Sequence, residues 1–94
     1  MGMILYTKND CPKCVLIKNY IRVELPDDLK NDIEIREIDN VSEFKRELMM
    51  HGAYDAVQTT MPVMVDTDSE EVLIGALEIK AHLKDATKTL EMGY

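Results

Sequence analysis

Long apolar runs are missing from this chain. No stretch approaches the ~18 uncharged residues of a membrane-spanning helix, so no membrane span is expected. Basic residues are scarce. Eleven Lys and Arg face eighteen Asp and Glu, a net charge of −7. A nucleic-acid partner held by a basic face is therefore not expected. Like charges form no long block, which excludes an acidic tail. The apolar start, Met1 to Tyr6, has no basic flank or cleavage site and runs into Lys8, Asn9 and Asp10, so it does not read as a secretory signal. Met1-Gly2 is followed by Tyr6 where a myristoylation start would carry Ser or Thr. The expected compartment is the cytoplasm. Internal repeats and low-complexity tracts are absent as well.

What remains is a chain of 94 residues, room for one domain spanning residues 1–94. Leu, Ile, Val and Phe make up 25 of the 94, more than the ~20% below which disorder is expected. Met3 to Thr7 reads as a buried strand. Residues 12–25 read as a helix, with Pro12 at its first position, Pro26 at its stop and an apolar stripe of Val15, Leu16, Ile17, Tyr20, Ile21 and Leu25. Residues 27–32 read as a polar loop. Residues 33–39 alternate at Ile33 and Ile35 and shift phase at Ile38, which predicts a strand with apolar contacts on both faces. Asn40 with Glu43 forms a capping-box-like start to a helix carrying Val41, Phe44, Leu48 and Met49 and ending at Gly52. Residues 53–61 read as a loop, and 62–66 and 71–75 as a hairpin around Thr67-Asp68-Ser69-Glu70. Ile79, Leu83, Ala86 and Leu90 predict a final amphipathic helix. The order β-α-β-α-β-β-α implies an α/β architecture, a four-stranded mixed sheet flanked by three helices.

Both cysteines lie in Cys11-Pro12-Lys13-Cys14. Beside a βαβ pattern this spacing reads as a dithiol redox pair. Cys11 falls where the first strand hands over to the helix, facing the positive end of its dipole and unpaired N–H groups. Those groups, with Lys8 and Lys13, favour a thiolate, and Asp10 opposes it, so a lowered pKa is expected at Cys11. Cys14, one turn on, is expected to be the more buried thiol. A structural disulfide across so short a ring would constrain little chain. A zinc site needs two more ligands, and only His51 and His82 are present, without paired spacing; no metal site is expected. A cluster shared between two chains is the further alternative.

Pro62, after Thr59-Thr60-Met61, admits two readings. It is a strand-opening proline, or a cis-proline whose loop faces the dithiol and presents the Met61 backbone to an incoming peptide. Tyr54 and Asp55, in the same loop, are candidate partner contacts.

Taken together, these segments resemble the thioredoxin superfamily, glutaredoxins above all. Tyr6-Thr7-Lys8-Asn9-Asp10-Cys11-Pro12-Lys13-Cys14 is similar to the glutaredoxin start, in which Tyr-Ser-Lys precedes Cys-Pro-Tyr-Cys. Thr60-Met61-Pro62-Val63 is similar to the family's Thr-Val-Pro with its cis-proline. Ile74-Gly75-Ala76-Leu77-Glu78 is similar to its Gly-Gly-x-Asp. The resemblance covers most of the chain and implies a thioredoxin-like fold. It implies a thiol–disulfide oxidoreductase in which Cys11 is the nucleophile and Cys14 resolves. Protein disulfides or glutathione-mixed disulfides would be its substrates, and it would work as a monomer with no bound cofactor. In glutathione-using members Lys8 would meet a glutathione carboxylate and the Met61 backbone, before a cis Pro62, would pair with the cysteinyl segment. Ala76, Leu77 and Glu78 would take the γ-glutamyl end, and Pro12 and Lys13 complete the candidate substrate-binding set.

Departures from the family pattern bear on glutathione. Lys13 replaces the tyrosine between the cysteines, Ala76 the second glycine, and Glu78 the aspartate. Glutaredoxin-like proteins recycled by thioredoxin reductase fit the same motifs. The Trp-Cys-Gly-Pro-Cys of true thioredoxins is absent, as is tryptophan altogether. A non-catalytic binding or cluster-carrying module of the same fold is the alternative from another class.

Overall fold

A computed structural model describes residues 2–91 of the chain, with the side chains of residues 2–89. Strand β1 (Met3–Thr7) is buried along its whole length. Successive side chains of a strand point to opposite faces, and every residue of Met-Ile-Leu-Tyr-Thr tolerates burial. Met3 and Leu5 join one apolar cluster, Ile4 and Tyr6 a second. A strand buried on both faces must lie inside the sheet. The observed order is β2-β1-β3-β4, with β1 parallel to β2 (Ile33–Glu37) and antiparallel to β3 (Val63–Asp66), and β3 antiparallel to β4 (Glu71–Ile74). The expected four-stranded mixed α/β sheet is thus present.

Helix α1 (Pro12–Glu24) crosses between the parallel strands. It buries Cys14, Ile17 and Ile21, a single 3-4 stripe. Val15 and Leu16, read as part of that stripe, are 53% and 56% exposed. One step along a helix turns a side chain by about 100°, off the packed face. Leu25 is extended before Pro26, as the proline ring requires, and ends the helix.

The stretch read as a polar loop holds a short helix, α2 (Asp27–Lys30). Acidic Asp27 and Asp28 stand in its first turn, Lys30 in its last, and Leu29 pins it to the core at 3% exposure. Strand β2 lies at the sheet edge. Ile33 packs on the first cluster and Ile38, just past the strand, enters the second, but Ile35 is 46% exposed because no strand covers that edge.

The segment after Asn40 starts as a 3₁₀ turn (Val41–Phe44) and continues as α3 (Lys45–Met50). The expected capping box takes another form. The Asn40 side chain accepts from the Ser42 N–H at 3.1 Å and the Ser42 hydroxyl at 2.6 Å, while the Glu43 N–H goes to the Asn40 carbonyl at 3.2 Å. Gly52 ends α3 as expected. Its φ of +72° lets the Gly52 and Ala53 N–H groups donate to the Met49 and Leu48 carbonyls at 3.1 and 2.8 Å. Of the four apolar positions read in this helix only Leu48 is fully buried, and Met49 is 59% exposed.

A second helix was not expected in residues 53–61. It is α4 (Tyr54–Thr59), anchored by Ala53 and Val57 in the second cluster. The predicted hairpin is β3–β4. Helix α5 (Ala76–Glu91) begins after Gly75, whose φ is +90°, and buries Ile79 and Leu83 on the first cluster, with Ala86 beside them. The side chain of Leu90, read into the same stripe, lies outside the described residues. Five α-helices therefore flank the sheet among the described residues, instead of three. Helices α1, α2 and α5 supply residues to one core cluster, α3 and α4 to the other. None of the described helices is long and apolar enough to cross a membrane.

Candidate functional site

The cysteine motif occupies the turn from β1 into α1. Asn9 ties this turn to the chain after β2 by donating to Asp39 Oδ1 at 3.2 Å. Asp10 is left-handed, φ +58°, a conformation Asp tolerates better than most residues. The bend leaves Cys11 extended at the N-cap, φ −119° and ψ 103°. Its sulfur accepts the Cys14 N–H at 3.2 Å, and its carbonyl accepts the first helical bond, from the Val15 N–H at 3.0 Å. Pro12 follows at the helix start, where its missing N–H costs nothing. The first turn of α1 contains no acidic residue to oppose a charged sulfur.

The two thiols are not bonded to each other, and their burial differs in the expected sense: Cys11 is 8% exposed, Cys14 not at all. Burial raises the Cys11 pKa. It is outweighed by the hydrogen bond from the Cys14 thiol, by the Cys14 and Lys13 N–H groups and by the Lys8 charge, so the thiol sits below its ordinary value. Cys14 moves the other way. Burial, then its hydrogen bond to Cys11 and the Cys11 charge, push it up to about 11. Cys11 is therefore the more acidic thiol of the pair, and Cys14 keeps its proton to higher pH.

Cys11 opens into a depression of about 320 Å³ lined with Lys8, Asp10, Pro12, Lys13 and Met61. A second depression, about 510 Å³, is lined by Lys13, Leu16, Ile74, Gly75, Ala76, Leu77 and Glu78. Lys13 borders both. Lys8, Pro12, Lys13 and Met61 thus gather at the sulfur, and Ala76, Leu77 and Glu78 line the neighbouring space. The Met61–Pro62 bond is cis. The Pro62 ring is fully buried, and its carbonyl accepts the Gly75 N–H at 2.9 Å, which links the start of β3 to the entry of α5.

Tyr54 and Asp55 do not join this site. They line a smaller hollow with Met49 and Gly52, and Lys45 Nζ lies 5.7 Å from the Tyr54 ring centre. His82 is engaged at the far end of the sheet, with Nε2 3.0 Å from Asp66 Oδ2 and Nδ1 3.4 Å from Glu71 Oε2. Among the described residues no group of three or more His, Cys, Asp or Glu is arranged to hold a metal ion.

Leu16 and Ile74 are the site residues that sequence reasoning missed. By its apolar character Leu16 reads as part of the α1 core stripe, although the spacing Cys14, Ile17, Ile21 leaves it outside. Ile74 was hidden in a short strand whose last residue is 39% exposed. No family model, curated protein or solved structure matches this chain.

Proposed function

We propose that the chain is a dithiol thiol–disulfide oxidoreductase of glutaredoxin type. The observation that carries this reading is the Cys11 sulfur at the N-cap of α1, accepting the Cys14 N–H at 3.2 Å and facing an open depression. The Cys11 thiolate attacks one sulfur of a substrate disulfide. That S–S bond breaks, and the departing sulfur leaves with the electron pair and takes a proton from water. Cys14 then loses its proton and attacks the Cys11 sulfur, expelling the second substrate thiol. Two electrons have passed to the substrate, and Cys11 and Cys14 are joined as a disulfide. A lowered pKa helps twice: it supplies thiolate, and it makes Cys11 a good leaving group when Cys14 attacks. A thiol reductant closes the cycle, either glutathione as co-substrate or thioredoxin reductase acting on the disulfide. The cycle needs no bound metal or organic cofactor.

The sheet order, the helices on both faces and the cysteine pair at the β1–α1 turn support a thioredoxin-like fold. Its place would be a reducing compartment such as the cytoplasm, where a dithiol of this kind is kept reduced, and it would act as a monomer. Reduction of a protein disulfide, followed through NADPH consumption, tests the reading. It is run with glutathione and its reductase, and in parallel with thioredoxin reductase. Turnover in at least one system, lost in Cys11→Ser and replaced by a trapped mixed disulfide in Cys14→Ser, is the expected result. Unchanged turnover in Cys11→Ser refutes it.

A further inference from the structure

Strand β2 is an open edge of the sheet, and the ladder on its inner side fixes which backbone groups face outward. The Met3 N–H donates to the Asp32 carbonyl at 2.9 Å and the Ile38 N–H to the Thr7 carbonyl at 2.7 Å. Between these bonds Met3 lies beside Ile33 and Thr7 beside Glu37. A parallel ladder engages alternate residues of each strand, so Glu34 and Arg36 face β1. The N–H and C=O groups of Ile33, Ile35 and Glu37 point away from it. Among the described residues no backbone hydrogen bond from another segment reaches them. Ile35, at the centre of this row, is 46% exposed.

A free edge is a template for another strand, and this one is complementary to itself. Two copies of Ile33-Glu34-Ile35-Arg36-Glu37, laid antiparallel about a two-fold axis at Ile35, set outward groups against outward groups. Ile35 meets Ile35, and Ile33 meets Glu37 on either side, each as a hydrogen-bonded pair. Glu34 then falls opposite Arg36, twice. Within one strand these side chains already attract, with Arg36 Nη2 3.0 Å from Glu34 Oε2 and Arg36 Nε 3.3 Å from Glu47 Oε2. An arginine has five N–H donors, enough for a further carboxylate.

Other registers fail. A slip of one residue sets outward groups against groups already spent on β1. A slip of two sets Glu34 against Glu34, or Arg36 against Arg36, on the axis, and like charges directly opposite repel. The other edge, β4, has four residues with Glu71 its single charge, so no charge pair fixes a register there.

We propose that the β2 edge is an interaction surface for a second copy of this chain, pairing about Ile35 to give one continuous eight-stranded sheet. A contact of one five-residue strand per copy falls below the ~1,200 Å² of a stable interface. The dimer is therefore weak, with a dissociation constant on the order of 0.1 mM. The net charge of −7 on each copy adds repulsion, which about 0.15 M salt screens beyond roughly 8 Å. The proposal does not rest on the oxidoreductase reading. Each copy keeps its own Cys11 and Cys14, and one copy suffices for that chemistry.

Sedimentation equilibrium of the whole chain in about 0.15 M salt, from roughly 10 µM to 1 mM, tests it together with amide exchange by NMR at both ends of that range. The wild type is expected to be monomeric at the low end and mostly dimeric at the high end. The Ile33, Ile35 and Glu37 amides should gain protection only at the high end. Glu34→Arg sets a cation against Arg36 in both pairs and is expected to weaken the dimer roughly tenfold. Ile35→Lys sets two like charges on the axis and is expected to abolish it. Both positions are exposed, so neither change threatens the fold. A wild type that stays monomeric at the high end overturns the proposal. So does a dimer that persists unchanged in Ile35→Lys, or one that protects the Val72 and Ile74 amides of β4 in place of those of β2.

Discussion

Two acidic side chains with lowered pKa values sit at opposite ends of the central strands, and their surroundings differ. Cys11 follows β1; Asp66 ends β3, beside Met3 at the other end of β1. Exposure is nearly equal, 8% and 6%. Burial raises the pKa of each and is outweighed, at Asp66 by the His82 hydrogen bond, then the Ser69 and Asp68 N–H groups and the His82 charge. The difference lies in what is left over. Asp66 Oδ1 accepts from Asp68 and Ser69 at 3.0 and 3.4 Å, and Oδ2 meets His82 at 3.0 Å, so both oxygens are engaged inside the fold. Cys11 meets the Cys14 N–H and still faces a depression, with a second sulfur behind it. Stabilising a buried anion is common to structure and chemistry. An open side and a second nucleophile within reach are particular to chemistry.

The largest test of this contrast is activity. Cys11→Ser is expected to lower disulfide reduction by at least roughly a hundredfold, and Asp66→Asn to leave it within about twofold of wild type, both read by NADPH-coupled turnover. Comparable losses would erase the distinction between the two ends. Stability should invert the order. Asp66→Asn leaves the Ser69 and Asp68 N–H groups and His82 poorly matched and is expected to cost about 1–3 kcal/mol in urea unfolding. Serine is itself a good N-cap, so Cys11→Ser is expected to change stability by less than about 1 kcal/mol at neutral pH.

Titration sharpens the comparison further. Both folded-state pKa values are lowered, so each anion contributes stability that is complete above its ordinary pKa and lost as pH falls through the lowered one. For Asp66 that loss lies below the ordinary carboxylate range, and the gap between wild type and Asp66→Asn should close there. For Cys11 the gap between reduced wild type and Cys11→Ser should narrow as pH falls from the ordinary thiol value through the lowered one. Denaturant titrations at stepped pH measure both, and two gaps closing in the same window would contradict the assignment. The smallest effect is expected from Lys8→Gln. Its charge is the last of the influences on Cys11, and the residue is exposed. Alkylation below the ordinary thiol pKa should slow by only roughly two- to fivefold.

Legibility in the sequence followed the strength of the local signal. A fully apolar β1, the Pro12 and Pro26 bounds of α1, the glycine stop at Gly52 and the Thr67–Glu70 turn each have one physical solution, and each was readable. Helices α2 and α4 were not, because a helix of one or two turns needs only one buried anchor, Leu29 in one and Val57 in the other. A single apolar residue has no period. At the site, the order Cys11, Pro12, Lys13, Cys14 placed the N-cap sulfur and its buried partner. The apolar neighbours of Leu77 were invisible because Leu16 and Ile74 look like core residues until the fold leaves them uncovered.

The two thiols are split, Cys11 below its ordinary pKa and Cys14 pushed up to about 11. Iodoacetamide alkylation of the reduced protein across pH, with the modified cysteine identified by mass spectrometry, tests this split most directly. Cys11 is expected to be alkylated first, with a midpoint below the ordinary thiol value, while Cys14 resists until far more alkaline pH. A Cys11 midpoint at or above the ordinary thiol value, or Cys14 reacting first, would contradict it.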